Sequence, residues 1–360
     1  MKRAEFVIIG AGPAGLRAAK SLLDAKAKVL IIDRSDLLGG QLTKQTHMFF
    51  GSQKQHASKR GIDILQLMID EVVHHENVEI ITNATVVGLY KDLVIGYVKD
   101  DHYYKVQAAS IIVATGASEK AIPFENNDLP GVYAAGAVQT LMNVYGVKPG
   151  QKVLMVGSGN IGLIVAYQLM QAGVEVVKLI EAASHIGGYL VHASKIKRLG
   201  VDIVTNASVK RAIGKDHVEA AEIWKLDANW QGIEGTEEKL DVDTICMAVG
   251  LAPLTELLQQ LGVKVKYVRE LGGNVPIIDK TFKTSLDYVY ACGDVAGIEE
   301  ASSAMMAGEI AGIEAALSKG YEVHDARVRL AALRQDLTNL RNGPHGEKIR
   351  AGLEKLGVTQ

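Results

Sequence analysis

The feature that most constrains this chain is a supersecondary unit written twice. Residues 5–42 read EFVIIGAGPAGLRAAKSLLDAKAKVLIIDRSDLLGGQL, and residues 151–190 read QKVLMVGSGNIGLIVAYQLMQAGVEVVKLIEAASHIGGYL. Each opens with an apolar strand pattern, turns through Gly-x-Gly-x-x-Gly, and continues at helical spacing into a second strand rich in Val and Ile. An acidic residue ends that second strand in both, Asp33 and Glu181, and a glycine pair follows at the same offset, Gly39-Gly40 and Gly187-Gly188. Farther on, each unit reaches another strand pattern that ends in a small-residue turn, IIVATGASEKAIP and ICMAVGLAPL. Repetition over this length predicts an α/β chain of two similar domains with parallel sheets.

The glycines divide the work between them. The first (Gly10, Gly157) permits a tight turn, the second (Gly12, Gly159) lets backbone approach a pyrophosphate, and the third (Gly15, Gly162) lets helix and strand pack closely. The helix N-terminus then offers unpaired N–H groups and partial positive charge to phosphates. A carboxylate about 20 residues on accepts hydrogen bonds from ribose hydroxyls, which is the context that makes this fingerprint specific. Both units are therefore read as dinucleotide sites. In the second, Glu181 favours NAD(H) over NADP(H), since a carboxylate repels a 2′-phosphate, and AASHIGG supplies His185 but no arginine.

A length of 360 residues suits two domains, and 48% hydrophobic residues, 22% charged residues and a net charge of -2 exclude a disordered chain or a polyanion-binding surface. No nucleic-acid partner is expected. Cys246 and Cys292 lie too far apart for a CxxC redox pair or a complete cysteine-ligated cluster, and both sit in apolar stretches as buried, inert thiols. No metal site is expected, and the cysteine usage suits a reducing cytoplasm. MKRAEFVIIGAGPAGLRAA has basic residues before an apolar run, but glycines and a proline break it as a strand-turn-helix would. GLIVAYQLM is too short to span a bilayer, so a soluble, cytoplasmic protein is predicted.

Loop-forming residues in SEKAIPFENNDLPGVYAAGA carry the chain into the second unit, and GLAPLTELL starts the return. The expected layout is a discontinuous first domain, 1–120 and 253–325, interrupted by a second at 121–252. A helical tail, 326–360, follows, with Leu330, Leu333, Leu337 and Leu340 at helical spacing. That tail either covers the core or docks a partner.

GAGPAG with Asp33, ATG at 114–116 and GDV at 293–295 resemble the three FAD segments of the two-dinucleotide-domain flavoproteins, the pyridine nucleotide-disulfide oxidoreductase-like group that includes thioredoxin reductase. GVYAAGAVQTLMNVYGVKPGQKVLMVGSGNIG, GGYLVHASKIKRLGV, ELGGNVP and GDVAGIEEASSAMMAGEIAG look most similar to one branch. Its members are the FAD-containing A or alpha subunits of opine oxidase, hydrogen cyanide synthase, proline or hydroxyproline dehydrogenase and sarcosine oxidase. The resemblance implies two Rossmann-like domains, the NAD-type domain inserted in the FAD domain. It implies FAD on Gly10, Gly12, Pro13, Ala14, Gly15, Asp33, Arg34, Gly40, Gln41, Val86, Thr115, Gly116, Gly293, Asp294, Glu300 and Ala301. Asp294 would serve the ribityl chain or adjoining phosphate, and the helix starting near Glu299 or Glu300 would face the flavin pyrimidine edge. The carboxylates there are unusual, unless they cap the helix. NAD or another adenine nucleotide would lie on Gly157, Gly159, Asn160, Ile161, Gly162, Glu181 and Gly250. Two departures matter: the dithiol of thioredoxin-reductase-like enzymes is missing, and too little chain follows Leu317 for a glutathione-reductase-like dimerisation domain. Any iron–sulfur centre would belong to another subunit.

A flavin held without thiol or metal exchanges hydride with a nicotinamide or an organic substrate, or passes electrons onward. The segment after the first glycine pair, QLTKQTHMFFGSQKQHASKRG, is the expected lining. Lys44, His47, Lys59 and Arg60 are candidates for binding an anionic substrate such as an amino or imino acid, with His47 as proton donor or acceptor. The competing reading is a solvated basic loop with Phe49 and Phe50 tucked into the core. Three functions stay open: a flavoprotein subunit of a hetero-oligomeric dehydrogenase with a partner bearing flavin or an iron–sulfur centre, a self-contained NADH:acceptor oxidoreductase, and an assembly subunit with a structural adenine nucleotide.

Overall fold

The computed structural model describes residues 1–49, 53–343 and 346–358. Met1–Ser118 with Ala252–Gln360 forms one compact unit, and Glu119–Leu251 forms the other.

In the first unit the parallel strands lie in the order Val78–Ile81, Val29–Ile32, Lys2–Ile9, His102–Val113 and Val289–Ala291. Buried on both faces, the central strands read as unbroken apolar runs, FVII and VLII, rather than alternating ones. Successive residues still part to opposite faces: Phe6, Ile8 and Ile31 enter one core cluster, Val7, Ile9 and Ile32 the other. The helix Pro13–Asp24 starts on Pro13, whose fixed φ and missing N–H suit a first helical position. An antiparallel meander, Thr85–Leu89, Val94–Lys99 and the start of His102–Val113, extends the sheet beyond the parallel part.

The second unit repeats this plan with Ile203–Thr205, Glu175–Glu181, Lys152–Val156, Thr244–Met247 and Val132–Ala134, all parallel. Its meander is Ala207–Ile213, Ala220–Lys225 and Glu238–Leu240. Cys246 is fully buried inside a strand and Cys292 directly follows one. Burial raises both thiols, Cys292 to about 12, so neither is ionised at neutral pH.

The C-terminal residues form two helices, Ala326–Arg341 and Glu347–Leu356. Leu330, Leu333 and Leu337 pack on Met306, Ile310 and Ile313 of the long helix Ala301–Ser318. The leucine stripe thus covers its own unit. Among the described residues no helix is long and apolar enough to cross a membrane, and none of their His, Cys, Asp and Glu side chains cluster as a metal site would require.

Candidate functional site

The first glycine turn joins the strand Lys2–Ile9 to the helix Pro13–Asp24 at the C-terminal edge of the sheet. Gly10, at φ 102°, lies so close to Ala114 that a Cβ there would sit 2.3 Å from the Ala114 carbonyl oxygen. A Cβ on Gly15 would meet the Gly10 oxygen at 1.9 Å, so this glycine is what allows the helix to rest on the turn. Gly12 differs: a Cβ there would have only the Gly40 Cα, 3.9 Å away, for company. Among the described residues nothing requires glycine at 12, while a phosphate approaching the N–H groups of the first helical turn would. Asp33 faces this space, with its Oδ2 accepting the Ala11 N–H at 2.6 Å and its Oδ1 the Ser35 N–H at 2.7 Å. Each oxygen keeps a lone pair for a ribose hydroxyl.

The second turn reproduces this arrangement. A Cβ on Gly157 would meet the Ala248 oxygen at 2.4 Å, one on Gly162 the Gly157 oxygen at 2.1 Å, and one on Gly159 nothing within 4 Å. Glu181 Oε1 accepts the Ala183 N–H at 3.0 Å, and Oε2 accepts the Ser158 N–H at 2.8 Å and its hydroxyl at 2.6 Å. Here side chains also tie the glycine pair down: the Gly187 N–H donates to Ser158 Oγ at 3.1 Å and the Tyr189 N–H to Asn160 Oδ1 at 2.8 Å. Ser158 was not singled out from the sequence although it lies inside the fingerprint. Its sign was a hydroxyl in the slot that Ala11 fills in the first copy.

Other expected positions fall around the same rims. The Gly39 N–H bonds the Ala11 oxygen at 2.8 Å, bringing Gly40 and Gln41 onto the first turn. The Ala84 N–H bonds the Asp33 oxygen at 2.9 Å, which sets Val86 two residues from the carboxylate strand end. Thr115 Oγ1 donates to the Leu254 oxygen at 2.9 Å, and Gly116, at φ 74°, has open space where a Cβ would be. Ala14 lies against Gly293, while Arg34 is exposed. Gly250, at φ 112°, accepts the Lys120 N–H at 2.9 Å in the second unit. Ile161 occupies the second helical position there and is 40% exposed, so its side chain stands outside the core. A depression of about 360 Å³, lined by Met170, Val174 and Leu199, opens where the strand Glu175–Glu181 begins, away from its Glu181 end.

Gly293 and Asp294 follow the fifth strand of the first unit and precede the helix Ala301–Ser318. Burial pushes the Asp294 carboxyl up to about 6; the nearby Glu299 carboxylate adds to this, and the Glu299 backbone N–H opposes it. Glu300 does not cap the helix with its side chain; its carbonyl accepts the Ala304 N–H at 3.1 Å. Glu299 is paired with Arg341, whose Nη2 and Nε lie 2.6 and 3.0 Å from its two carboxylate oxygens. The helix-capping alternative for these carboxylates is therefore corrected. No sequence pattern ties Glu299 to a residue in the tail.

The loop after the first glycine pair folds back on itself, with the Phe49 N–H bonding the Lys59 oxygen and the Ser58 N–H the Phe49 oxygen, both at 2.9 Å. This places His47 beside Gly61, and Arg60 Nη1 on the Thr46 oxygen at 2.8 Å. Lys59 and Arg60 are exposed, Lys44 and His47 half-buried, and the His47 ring stacks on Phe49 at 5.6 Å. Phe49 is buried, while Phe50 lies outside the described residues. A group not singled out earlier, His56, approaches Arg17 Nη2 at 2.9 Å, and burial followed by the guanidinium charge holds it below its ordinary value. Gln45 Oε1 is buried and accepts no hydrogen bond among the described residues. An orphaned acceptor and an open glycine cradle beside one loop fit a large bound group with N–H and phosphate functions.

The family model for pyridine nucleotide-disulphide oxidoreductases matches residues 4–308. Among curated relatives, sarcosine oxidase subunit alpha of Rhizobium meliloti is 28% identical over 72% of this chain and 26% of its own length. Hydrogen cyanide synthase subunit HcnB of Pseudomonas protegens is 25% identical over 90% of this chain and 72% of its own. The chain thus spans about a quarter of the first of these and under three quarters of the second. The fold is shared with the crystal structure of L-proline dehydrogenase from P. horikoshii, at a TM-score of 0.70 and 24% identity, over 93% of this chain and 59% of that one.

Proposed function

The chain belongs to the pyridine nucleotide-disulphide oxidoreductase family, and from that premise we propose that it is an FAD-dependent oxidoreductase. In this reading it is the FAD- and NAD-binding subunit of a multi-subunit dehydrogenase that oxidises an amino acid, imino acid or related amine. The observation that carries the reading is the pair of matching cradles, each with a middle glycine facing open space and a strand-end carboxylate, in a chain whose two thiols are buried and apart. FAD, when bound, supplies a two-electron hydride acceptor that also passes single electrons onward.

The chain's own residues bind and orient. Asp33 receives the adenosine ribose, the helix Pro13–Asp24 presents its N-terminus to the pyrophosphate, and Asp294 serves the ribityl side. His47 and Lys44, on the loop after the glycine pair, are the groups assigned to proton transfer and to a substrate carboxylate. The second cradle takes NAD(H) or another adenine nucleotide, with Glu181 disfavouring a 2′-phosphate. Amine oxidation is supported by the names of the relatives: sarcosine and L-proline are both amino acids with a secondary amine. Partner redox subunits are supported by the relatives' designation as subunits.

Anaerobic mixing of the purified chain with NADH, followed at the flavin band at about 450 nm, tests this reading. Slow or absent bleaching, with a second redox polypeptide co-purifying, is the expected result. Fast bleaching with turnover of a quinone or oxygen by the chain alone would replace the subunit reading with a self-contained NADH:acceptor oxidoreductase. A Glu181→Ala variant that loses most of its assembly, while the complex that does form turns over normally, would make the second nucleotide structural. Tighter binding of NADPH than of NADH would overturn the NAD assignment.

A further inference from the structure

The C-terminal helices contribute to the first cradle in a way that the fingerprint does not specify. Helix Ala326–Arg341 covers Met306, Ile310 and Ile313, while helix Glu347–Leu356 seats Leu353 and Leu356 on the cluster containing Leu271, Val295 and Ala296. Between them, Arg341 reaches Glu299 with both oxygens engaged, at side-chain exposures of 11% and 14%. The Arg341 carbonyl is held in turn by the Arg350 guanidinium. One cavity of about 20 Å³ is lined both by this pair and by Gly293 and Asp294 of the turn after the fifth strand, with Ser303 and Leu353.

Strand order says which part of a dinucleotide this corner meets. Asp33 ends the strand on one side of Lys2–Ile9, and Asp294 follows the strand Val289–Ala291 on the other side. A dinucleotide with its adenosine on Asp33 and its pyrophosphate on the glycine turn therefore extends its other half toward Asp294 and Glu299. Two helix N-termini meet there: a Cβ on Gly293 would lie 2.8 Å from the Ala14 Cβ and 3.7 Å from the Ala304 Cβ.

We propose that Arg341 is a positioning residue of the flavin site, holding the Glu299 carboxylate neutralised at the helix end so that the C-terminal helices and the bound flavin are energetically linked. This rests on the FAD reading above. A neutralised Glu299 leaves the positive end of helix Ala301–Ser318 to act on the flavin, where it favours the anionic reduced ring. Without Arg341, a poorly solvated carboxylate opposes that ring. Without Glu299, a guanidinium supports it. Linkage is reciprocal, so whatever ties tail and flavin together makes FAD protect the tail as much as the tail retains FAD.

The test uses the full chain with FAD and the variants Arg341→Gln, Glu299→Gln, the double variant and Arg341→Lys. The ratio of reduced to oxidised FAD affinity, read from the midpoint potential, should fall about tenfold in Arg341→Gln, rise in Glu299→Gln, and return toward wild type in the double variant. Arg341→Lys should rescue part of the shift. Hydrogen exchange over 326–341 and 347–356 should slow on FAD addition in the wild type and lose that response in Arg341→Gln. Potentials that move the same way in both single variants, or tail exchange indifferent to FAD, would reduce the pair to a staple between helices and overturn the proposal. A wild-type chain that takes up no FAD would overturn the FAD reading itself, a distinguishable result. The double variant covers the case in which Arg341→Gln alone fails to fold.

Discussion

The two glycine turns share backbone geometry to within tenths of an ångström in their closest approaches, yet their surroundings differ in kind. In the first unit, the helix of the turn lies against helix Ala301–Ser318 backbone to backbone: a Cβ on Gly308 would fall 2.0 Å from the Ala14 oxygen and one on Gly312 2.5 Å from the Ala18 oxygen. In the second, helix Asn160–Gln171 meets helix Ala135–Asn143 through a buried amide pair, Gln139 Nε2 donating to Gln168 Oε1 at 2.9 Å. The fifth strand also differs. In the first unit it turns through Gly293 and Asp294 before its helix begins, whereas in the second it runs straight into a helix whose Gly136 N–H is taken by Glu119 at 2.6 Å. One unit thus keeps a second helix end beside its cradle, and the other closes its own.

The largest effects should separate the glycines that the fold needs from those that a ligand needs. Gly15→Ala and Gly162→Ala drive a methyl into carbonyl oxygens of the turn, and each should destabilise its unit by about 3 kcal/mol or more. Gly12→Ala and Gly159→Ala meet open space and should change stability of the nucleotide-free chain by less than about 1 kcal/mol. They should nevertheless weaken FAD and NADH binding respectively. Thermal melts of the nucleotide-free variants alongside nucleotide titrations would decide; equal destabilisation by all four substitutions would remove the distinction.

That division was half legible in the sequence. Unbroken apolar runs, the glycine spacing and the two carboxylates fix the turn, the helix and the site's adenosine end, because all of them are local and carry strong steric requirements. Gly308 and Gly312 stand in a small-residue run, but nothing in that run names the helix on which it packs. The Arg341–Glu299 and Gln139–Gln168 pairs were invisible: each joins polar residues more than a turn apart in sequence, and no periodicity encodes which surface folding will bring opposite them. His56 was hidden for the same reason, since its neighbour Arg17 belongs to another element.

A second contrast lies at the turn carrying Asp294, which has no acidic counterpart after the strand Val132–Ala134. The Asp294 carboxyl is pushed up to about 6 in the folded chain, so folding favours its protonated form. The stabilisation is fully present below about pH 4, the unfolded value, and is lost as pH rises through about 6. In the FAD-free chain, Asp294→Asn should therefore gain on the wild type between those limits, levelling off at no more than about 3 kcal/mol above them. Chemical denaturation of both proteins from pH 4 to pH 8 checks this. A difference independent of pH would mean that the carboxyl is solvated after all.

The smallest effect concerns the helix pairs themselves. Gln139 and Gln168 are both buried, and the bond between them is worth little net because each would otherwise bond water. Removing one partner takes this bond from the other: Gln139→Leu or Gln168→Leu alone should destabilise the second unit by about 1–3 kcal/mol. Replacing both with leucine should cost less than the two single losses added together, since neither side chain is then left without the amide it bonded. Gly308 in the first unit offers no such recovery, because the obstacle there is the backbone oxygen of Ala14, which no second substitution removes. A double-mutant cycle on the glutamine pair, set beside Gly308→Ala, therefore measures the difference between the units directly. A coupling near zero would show that the second helix pair is held by its apolar contacts and that the amide bond is incidental to it.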